Sequence, residues 1–265
     1  MQQGSLVCVG TGMTLGSHIS PLSRNYIEQA DVVFVLVADG ITEQWIESMN
    51  SDVRSLQPFY LEGKSRLLSY KEMVAVILAE VRAGKKVVGA FYGHPGVFAW
   101  VPHKAIATAR AEGYQAHMEP GISAEDCLYA DLGIDPGTYG CQHYEASQFM
   151  FYHCPINPSA YLVLWQVGVA GDKSLARFST DSTYRALLVE ALQAHYSQHH
   201  QVILYEAICL SIQKVRIETL PLKDLPHSDI SLKTTLIIPP ANAMRPNHKM
   251  LQRLAALEDS QTQDV

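Results

Sequence analysis

The chain has 265 residues, 48% hydrophobic and 17% charged, which is apolar enough for a sizeable core and excludes a disordered chain, a coiled coil and a collagen-like repeat. Length alone allows one large α/β domain or two of ~130 residues each. A formal charge of -6 with no Lys/Arg run gives no general attraction for phosphate backbones, which argues against nucleic acid as a partner.

The first apolar run, residues 6–9, stops at Gly10-Thr11-Gly12. Ser20-Pro21 then opens a helical spacing of Leu22, Tyr26, Ile27 and Ala30, so the chain begins as strand, glycine loop and helix. Residues 31–38 read as a strand buried on both faces and 41–49 as a short helix. Residues 56–69 are polar and aromatic. From Tyr70 the series Met73, Val74, Ile77, Leu78 and Val81 predicts a helix ending at Gly84. Residues 87–92 form a third strand, broken by Gly93-His94-Pro95-Gly96; 104–111 form a helix, and 114–118 a fourth strand. Strands alternating with helices predict a parallel, doubly wound sheet over residues 1–118.

After Glu119-Pro120-Gly121 the texture changes. Residues 161–169, 202–210, 215–220 and 231–238 read as strands and 185–196 as a helix, so 119–240 is expected to be an α+β domain with a mixed sheet. Residues 241–265 read as a helix and then a polar tail that frays from Glu258. No fixed-period repeat relates the halves. Five dispersed cysteines without a C-x-x-C pair predict reduced thiols. The N-terminal residues lack the basic region of a secretory signal, and no apolar stretch approaches the ~20 residues of a membrane span. The expectation is a cytoplasmic protein with no membrane partner.

Gly10-Thr11-Gly12 falls short of the dinucleotide fingerprint because the third glycine is at Gly16, one position late, and there is no Gly-Lys-Ser/Thr ending of a P-loop. The loop at 93–96 lies at the carboxyl end of a predicted strand, where open parallel sheets place ligands. His94 has no second ligand at metal spacing, so no metal is expected. Glu125-Asp126 read as first-turn charges favoured by the helix dipole. Trp45, Trp100, Phe149, Phe151 and Trp165 read as core and interface.

Gly10-Thr11-Gly12, Tyr92-Gly93-His94-Pro95-Gly96, Glu119-Pro120-Gly121-Ile122-Ser123-Ala124 and Lys233-Thr234-Thr235-Leu236 together resemble the tetrapyrrole methylase fold family, the class III S-adenosylmethionine-dependent methyltransferases, over residues 6–239. The resemblance implies a two-domain α/β fold with S-adenosylmethionine folded in the cleft between the domains, held mainly by loop backbone, and S-adenosylhomocysteine as product. Segments 92–98, 121–132, 144–147 and 162–168, with Tyr60, Arg66 and Tyr70, are similar to the borosin-type peptide backbone α-N-methyltransferases. A tetrapyrrole enzyme is expected to carry Gly-Asp-Pro where this chain has Gly93-His94-Pro95.

Residue by residue, that similarity implies Arg66, Tyr70 and Tyr92 as the catalytic group, with Tyr60 as a further hydroxyl at the reaction centre. It implies Tyr92, His94, Val97, Ala124, Gln166, Ala207, Thr234 and Thr235 as cofactor contacts. It further implies a homodimer. Because residues 251–265 end polar and acidic with no Val/Ile/Gly-rich run, the substrate is expected in trans, as a separate ribosomal precursor peptide in complex with the enzyme. In the chemistry so implied Tyr70 accepts or relays the amide proton, Arg66 tunes it and the carbonyl, and Tyr92 orients the methyl donor; which tyrosine is the base stays open. Methylation of a corrinoid or porphyrin precursor is the alternative on the same fold, and a non-catalytic cofactor- or peptide-binding module the alternative of another class. From spacing alone, Tyr60, Arg66 and Tyr70 are equally an aromatic surface loop pinned by a cation–π contact.

Overall fold

The computed structural model describes residues 4–262. In the first half β1 (Ser5–Gly10), α1 (Pro21–Gln29), β2 (Val32–Leu36), α2 (Gly40–Glu47), β3 (Val53–Ser55), α3 (Arg66–Arg82), β4 (Lys86–Phe91), α4 (Trp100–Ala111) and β5 (Gln115–Glu119) follow in order. The strands make one parallel sheet, β3-β2-β4-β1-β5. Strand side chains alternate between faces: Leu6, Cys8, Val32, Phe34 and Leu36 pack with α3 and α4, whereas Val7, Val9, Val33 and Val35 pack against Ile27 of α1 and Ile46 of α2. Both faces are covered, which is why the strands read as unbroken apolar runs.

Two helices start earlier than their apolar spacing suggests. α3 begins at Arg66 rather than near Tyr70, because its first N–H is met by the carbonyl of Leu175 at 2.7 Å and the Ser65 side chain makes no cap, so the start carries no local signal. α4 begins at Trp100, with Pro102 in its first turn, where a missing N–H costs nothing. β3, three residues long, is too short to show alternation.

The second half contains α5 (Ala124–Leu132), α6 (Pro136–Tyr139), β6 (Cys141–Glu145), α7 (Ala146–Phe151), β7 (Tyr161–Trp165), α8 (Ser182–Gln193), β8 (Gln201–Glu206), β9 (Arg216–Pro221), β10 (Thr235–Ile238) and α9 (His248–Thr262). Its sheet, β6-β7-β10-β8-β9, is mixed, β6 and β7 being parallel and the other neighbours antiparallel. Leu162, Leu164, Leu204 and Leu236 pack with Leu188 and Leu192 of α8, and Val163, Trp165, Tyr205 and Ile237 lie on the other face with Leu128 of α5.

Three expected strands are shorter than their apolar runs. The run 161–169 ends at Trp165 because Gln166 turns left-handed, φ 58°, ψ 39°, and Val167–Val169 form a 3-10 turn. β8 stops at Glu206, and β10 starts only at Thr235, because residues 231–234 close a turn in which the Ser231 N–H donates to the Thr234 hydroxyl at 2.9 Å. β6, with the half-buried polar sequence CQHYE, has no apolar alternation to reveal it. The helix α9 runs past Glu258, where the sequence suggests fraying; residues 1–3 and 263–265 lie outside the described residues. Among the described residues no helix is long and apolar enough to cross a membrane.

Candidate active site

β4, β1 and β5 are neighbours, so the loops that leave their carboxyl ends adjoin. Gly12 and Gly93 exchange backbone hydrogen bonds, the Gly93 N–H to the Gly12 carbonyl at 2.9 Å and the Gly12 N–H to the Gly93 carbonyl at 3.2 Å. Packing beneath them excludes side chains: a Cβ on Gly121 would lie 2.3 Å from the Gly93 oxygen, and one on Gly10 2.4 Å from it. Between this edge and the Trp165/Tyr205 face of the mixed sheet lies a cavity of about 420 Å³, within the range of about 300–1,000 Å³ in which small ligands and cofactors bind.

Tyr92, His94 and Val97 reach this cavity from the loop after β4, Ala124 from the first turn of α5, Gln166 and Ala207 from just past β7 and β8, and Thr235 from the start of β10. His94 is oriented by its own turn: Nδ1 accepts the Gly96 N–H at 2.9 Å, leaving Nε2 as the ring nitrogen free for a ligand. Thr234 does not line the cavity. It is fully buried, and its hydroxyl donates to the Glu206 carboxylate at 2.5 Å, which also receives the Arg216 guanidinium at 2.9 Å.

Tyr60 and Tyr70 line the same cavity beside Tyr92. Tyr60 follows the turn Gln57–Phe59 and meets Tyr70 edge-on, ring centroids 6.1 Å apart, while Tyr70 stacks on Trp100 at 6.1 Å and 21°. Arg66, one turn before Tyr70 on α3, sits behind this wall and does not line it. Its guanidinium is 3.9 Å from the buried Asp172 carboxylate. The Gly63 N–H donates to the Ala176 carbonyl at 3.3 Å, so the 60–66 loop is strapped to the 172–177 loop of the other half.

Burial pushes the Tyr60 hydroxyl well above the ordinary tyrosine range, Tyr70 and Tyr92 add to this, and the Arg66 charge opposes it without reversing it. Tyr92 is 49% exposed but looks into the cavity, where surrounding protein, Tyr70 and Cys209 also raise its pKa. At Tyr60 desolvation outweighs the lowering effect of the Arg66 charge. The Tyr60 and Tyr92 hydroxyls are therefore both held in the protonated form at neutral pH.

Glu125 and Asp126 lie in the first turn of α5, as their spacing predicts, and Glu125, Trp165 and Trp100 have further roles at or beside the cavity. Asp126 does the helix capping, accepting from the Ser123 N–H and hydroxyl at 2.6 and 2.7 Å, which leaves Glu125 to face the cavity with its carboxylate held by the Tyr129 hydroxyl at 2.9 Å. The i, i+4 spacing of Glu125 and Tyr129 was the available signal. Trp165 is a cavity wall rather than simple core, and Trp100 supports Tyr70. Aromatic faces and one carboxylate suit a small cation, and the glycine-packed loops bring backbone to the cavity edge, so these residues fit S-adenosylmethionine.

Residues 5–224 match the family described as Tetrapyrrole (Corrin/Porphyrin) Methylases. The chain belongs to this family. It is 40% identical over 267 residues to the Gymnopus fusipes protein named methyltransferase/ribosomally synthesized cyclic peptide gymnopeptides precursor, covering 99% of this chain and 64% of that one. It is 43% identical over 243 residues to the Coprinopsis marcescibilis protein named methyltransferase/ribosomally synthesized type I borosin cyclic peptide precursor, covering 89% and 62%. The chain thus spans somewhat under two thirds of these relatives. Among solved structures, uroporphyrin-III-C-methyltransferase from Thermus thermophilus superposes with a TM-score of 0.65 at 16% identity, over 89% of this chain and 94% of that one, a likeness of fold.

Proposed function

We propose that the protein is an S-adenosylmethionine-dependent methyltransferase that methylates backbone amide nitrogens of a ribosomal peptide. The observation that carries this reading is the meeting of Tyr60, Tyr70 and Tyr92 in one wall of the cavity that His94, Val97, Gln166 and Thr235 also line. The names of the 40% and 43% identical relatives support a peptide substrate. We place the division between the two halves at residues 118 and 119.

S-adenosylmethionine, when bound, supplies a methyl group on a cationic sulfonium. The protein's part is to hold an acceptor nitrogen in line with that methyl, about 3–3.5 Å away. An amide nitrogen is a poor nucleophile because its lone pair is delocalised into the carbonyl. Attack therefore needs negative charge to gather on the carbonyl oxygen, and protonated Tyr60 and Tyr92 are placed to donate to it, each such donor worth roughly 2.7–4 kcal/mol. Arg66 acts from behind Tyr60 as a fixed positive charge. Tyr70, stacked on Trp100, takes or relays the amide proton. His94 Nε2, the Gln166 turn and Thr235 orient the methyl donor.

We assign the peptide to a separate precursor, supplied in trans to a cytoplasmic homodimer. Incubation of the chain with S-adenosylmethionine and a separately added apolar peptide tests this, with intact mass as the readout. Methyl additions on the added peptide are expected. Methyl additions confined to the chain itself contradict the trans arrangement, and additions only to a tetrapyrrole contradict the substrate class.

A further inference from the structure

Behind the cavity wall, β6 carries an imidazole that the proposed chemistry leaves unused. The Trp165 indole N–H donates to His143 Nδ1 at 3.1 Å, with the rings within 16° of parallel. On the other side His143 Nε2 lies 2.9 Å from the Tyr129 hydroxyl, and that hydroxyl donates to Glu125 Oε1 at 2.9 Å. Hydrogen-bond chemistry orders the whole chain. An indole can only donate, so Nδ1 must be an unprotonated acceptor. Tyr129 has one proton and gives it to the carboxylate, so its oxygen accepts from Nε2–H. The imidazole is neutral with its proton on Nε2.

A second proton on His143 would face the Trp165 N–H with another N–H, while drawing Nε2 toward Glu125, already 3.5 Å away. Both ends of the relay line the cavity: Trp165 packs on Phe98 at 5.4 Å and immediately precedes the left-handed Gln166, and Glu125 lines it as well.

We propose that His143 is a positioning residue that, as a neutral imidazole, pins Trp165, and with it the Gln166 turn, in the wall of the cofactor cavity and releases them when it is protonated. The proposal deepens the reading of the cavity as a cofactor site and rests on it. The titratable groups in contact with the relay are Glu125 and Tyr129 on α5 and Cys141 on β6, which adjoins Tyr129; β7 presents the indole. Burial lowers the His143 pKa below the ordinary histidine value and Glu125 opposes this, so the pinned form prevails at neutral pH. Asparagine at this position places its carbonyl oxygen near Nδ1, keeping an acceptor for Trp165 that cannot titrate.

The test is intrinsic tryptophan fluorescence and S-adenosylhomocysteine affinity, each measured from about pH 7.5 down to about pH 4.5, a window carried below the ordinary histidine range because burial lowers the His143 pKa. In the wild type, acidification is expected to change the emission and weaken affinity about tenfold, the scale of one lost hydrogen bond. H143N is expected to match the wild type at pH 7.5 and show neither change on acidification. W165F, which retains an aromatic wall but no indole donor, is expected to lack the fluorescence transition. A transition of full size in H143N, or none in the wild type, overturns the proposal. The fluorescence arm uses no cofactor, so absence of S-adenosylhomocysteine binding at every pH would instead count against the cavity's assignment.

Discussion

The guanidinium of Arg66 and the carboxylate of Asp172 lie 3.9 Å apart, joining the first turn of α3 to the loop that follows β7. Asp172 is 2% exposed and accepts from the Ser174 hydroxyl at 2.6 Å and from the backbone N–H groups of Ser174, Ala176 and Arg177 at 3.0, 3.1 and 3.0 Å. Burial works against the charge, but these hydrogen bonds outweigh it and lower the pKa.

Asp172→Ala leaves several donors unmet and removes the Arg66 partner, so a loss of about 3 kcal/mol is expected in urea denaturation. Because the folded pKa is depressed, this contribution is full above the unfolded value of about 3.9 and is lost as pH falls through the folded one. The difference between wild type and Asp172→Ala should therefore be flat near neutrality and shrink only in strong acid.

Tyr60→Phe keeps the ring contact with Tyr70 and removes the hydroxyl. In the proposed role of oxyanion-type donor, Tyr60 is expected to account for about 10²–10³ in kcat, so turnover should fall by that factor while S-adenosylhomocysteine affinity stays near wild type. Its raised pKa keeps the donor form through the unfolded value of about 10. The Tyr60-dependent rate should therefore persist to alkaline pH, its loss beginning only above that value.

Thr234 and Thr235 are adjacent but do different work. Thr235→Val should weaken S-adenosylhomocysteine binding with little change in stability, because Thr235 lines the cavity. Thr234→Val should cost about 1–3 kcal/mol of stability by depriving Glu206 of its closest donor, with affinity largely kept. Calorimetric binding and thermal unfolding of both variants separate the two roles.

Gly121→Ala would place a methyl 2.3 Å from the Gly93 oxygen and 2.8 Å from Gly10 Cα, both backbone atoms that cannot swing aside. The loops after β1, β4 and β5 must separate, at about 1–3 kcal/mol, with loss of cofactor binding measured by the same calorimetry.

The parallel sheet was legible because strands covered on both faces leave unbroken apolar runs, as in Val32–Leu36. The cavity was approachable through its loops, since Gly93, His94 and Gly121 sit in glycine-rich strand exits. Elements fixed by distant partners were not legible. Arg66 opens α3 where Leu175 meets its N–H, and β6 shows no apolar alternation because His143 is engaged by Tyr129 and Trp165 while Tyr144 packs on the core and donates to the Pro155 carbonyl. Trp165, read as core and interface, is buried, lines the cavity and donates its indole N–H to His143. Burial of Tyr60, which outweighs the Arg66 charge, is a property of the assembled wall and of no local segment.

The most direct test is fragmentation mass spectrometry of an apolar precursor peptide incubated with the protein and S-adenosylmethionine, with Tyr70→Phe and Arg66→Ala alongside. Methyl groups localised to backbone nitrogens, and absent with both variants although each still binds S-adenosylhomocysteine, are the expected result. Methylation confined to side chains or to a tetrapyrrole, or undiminished backbone methylation by both variants, would contradict it.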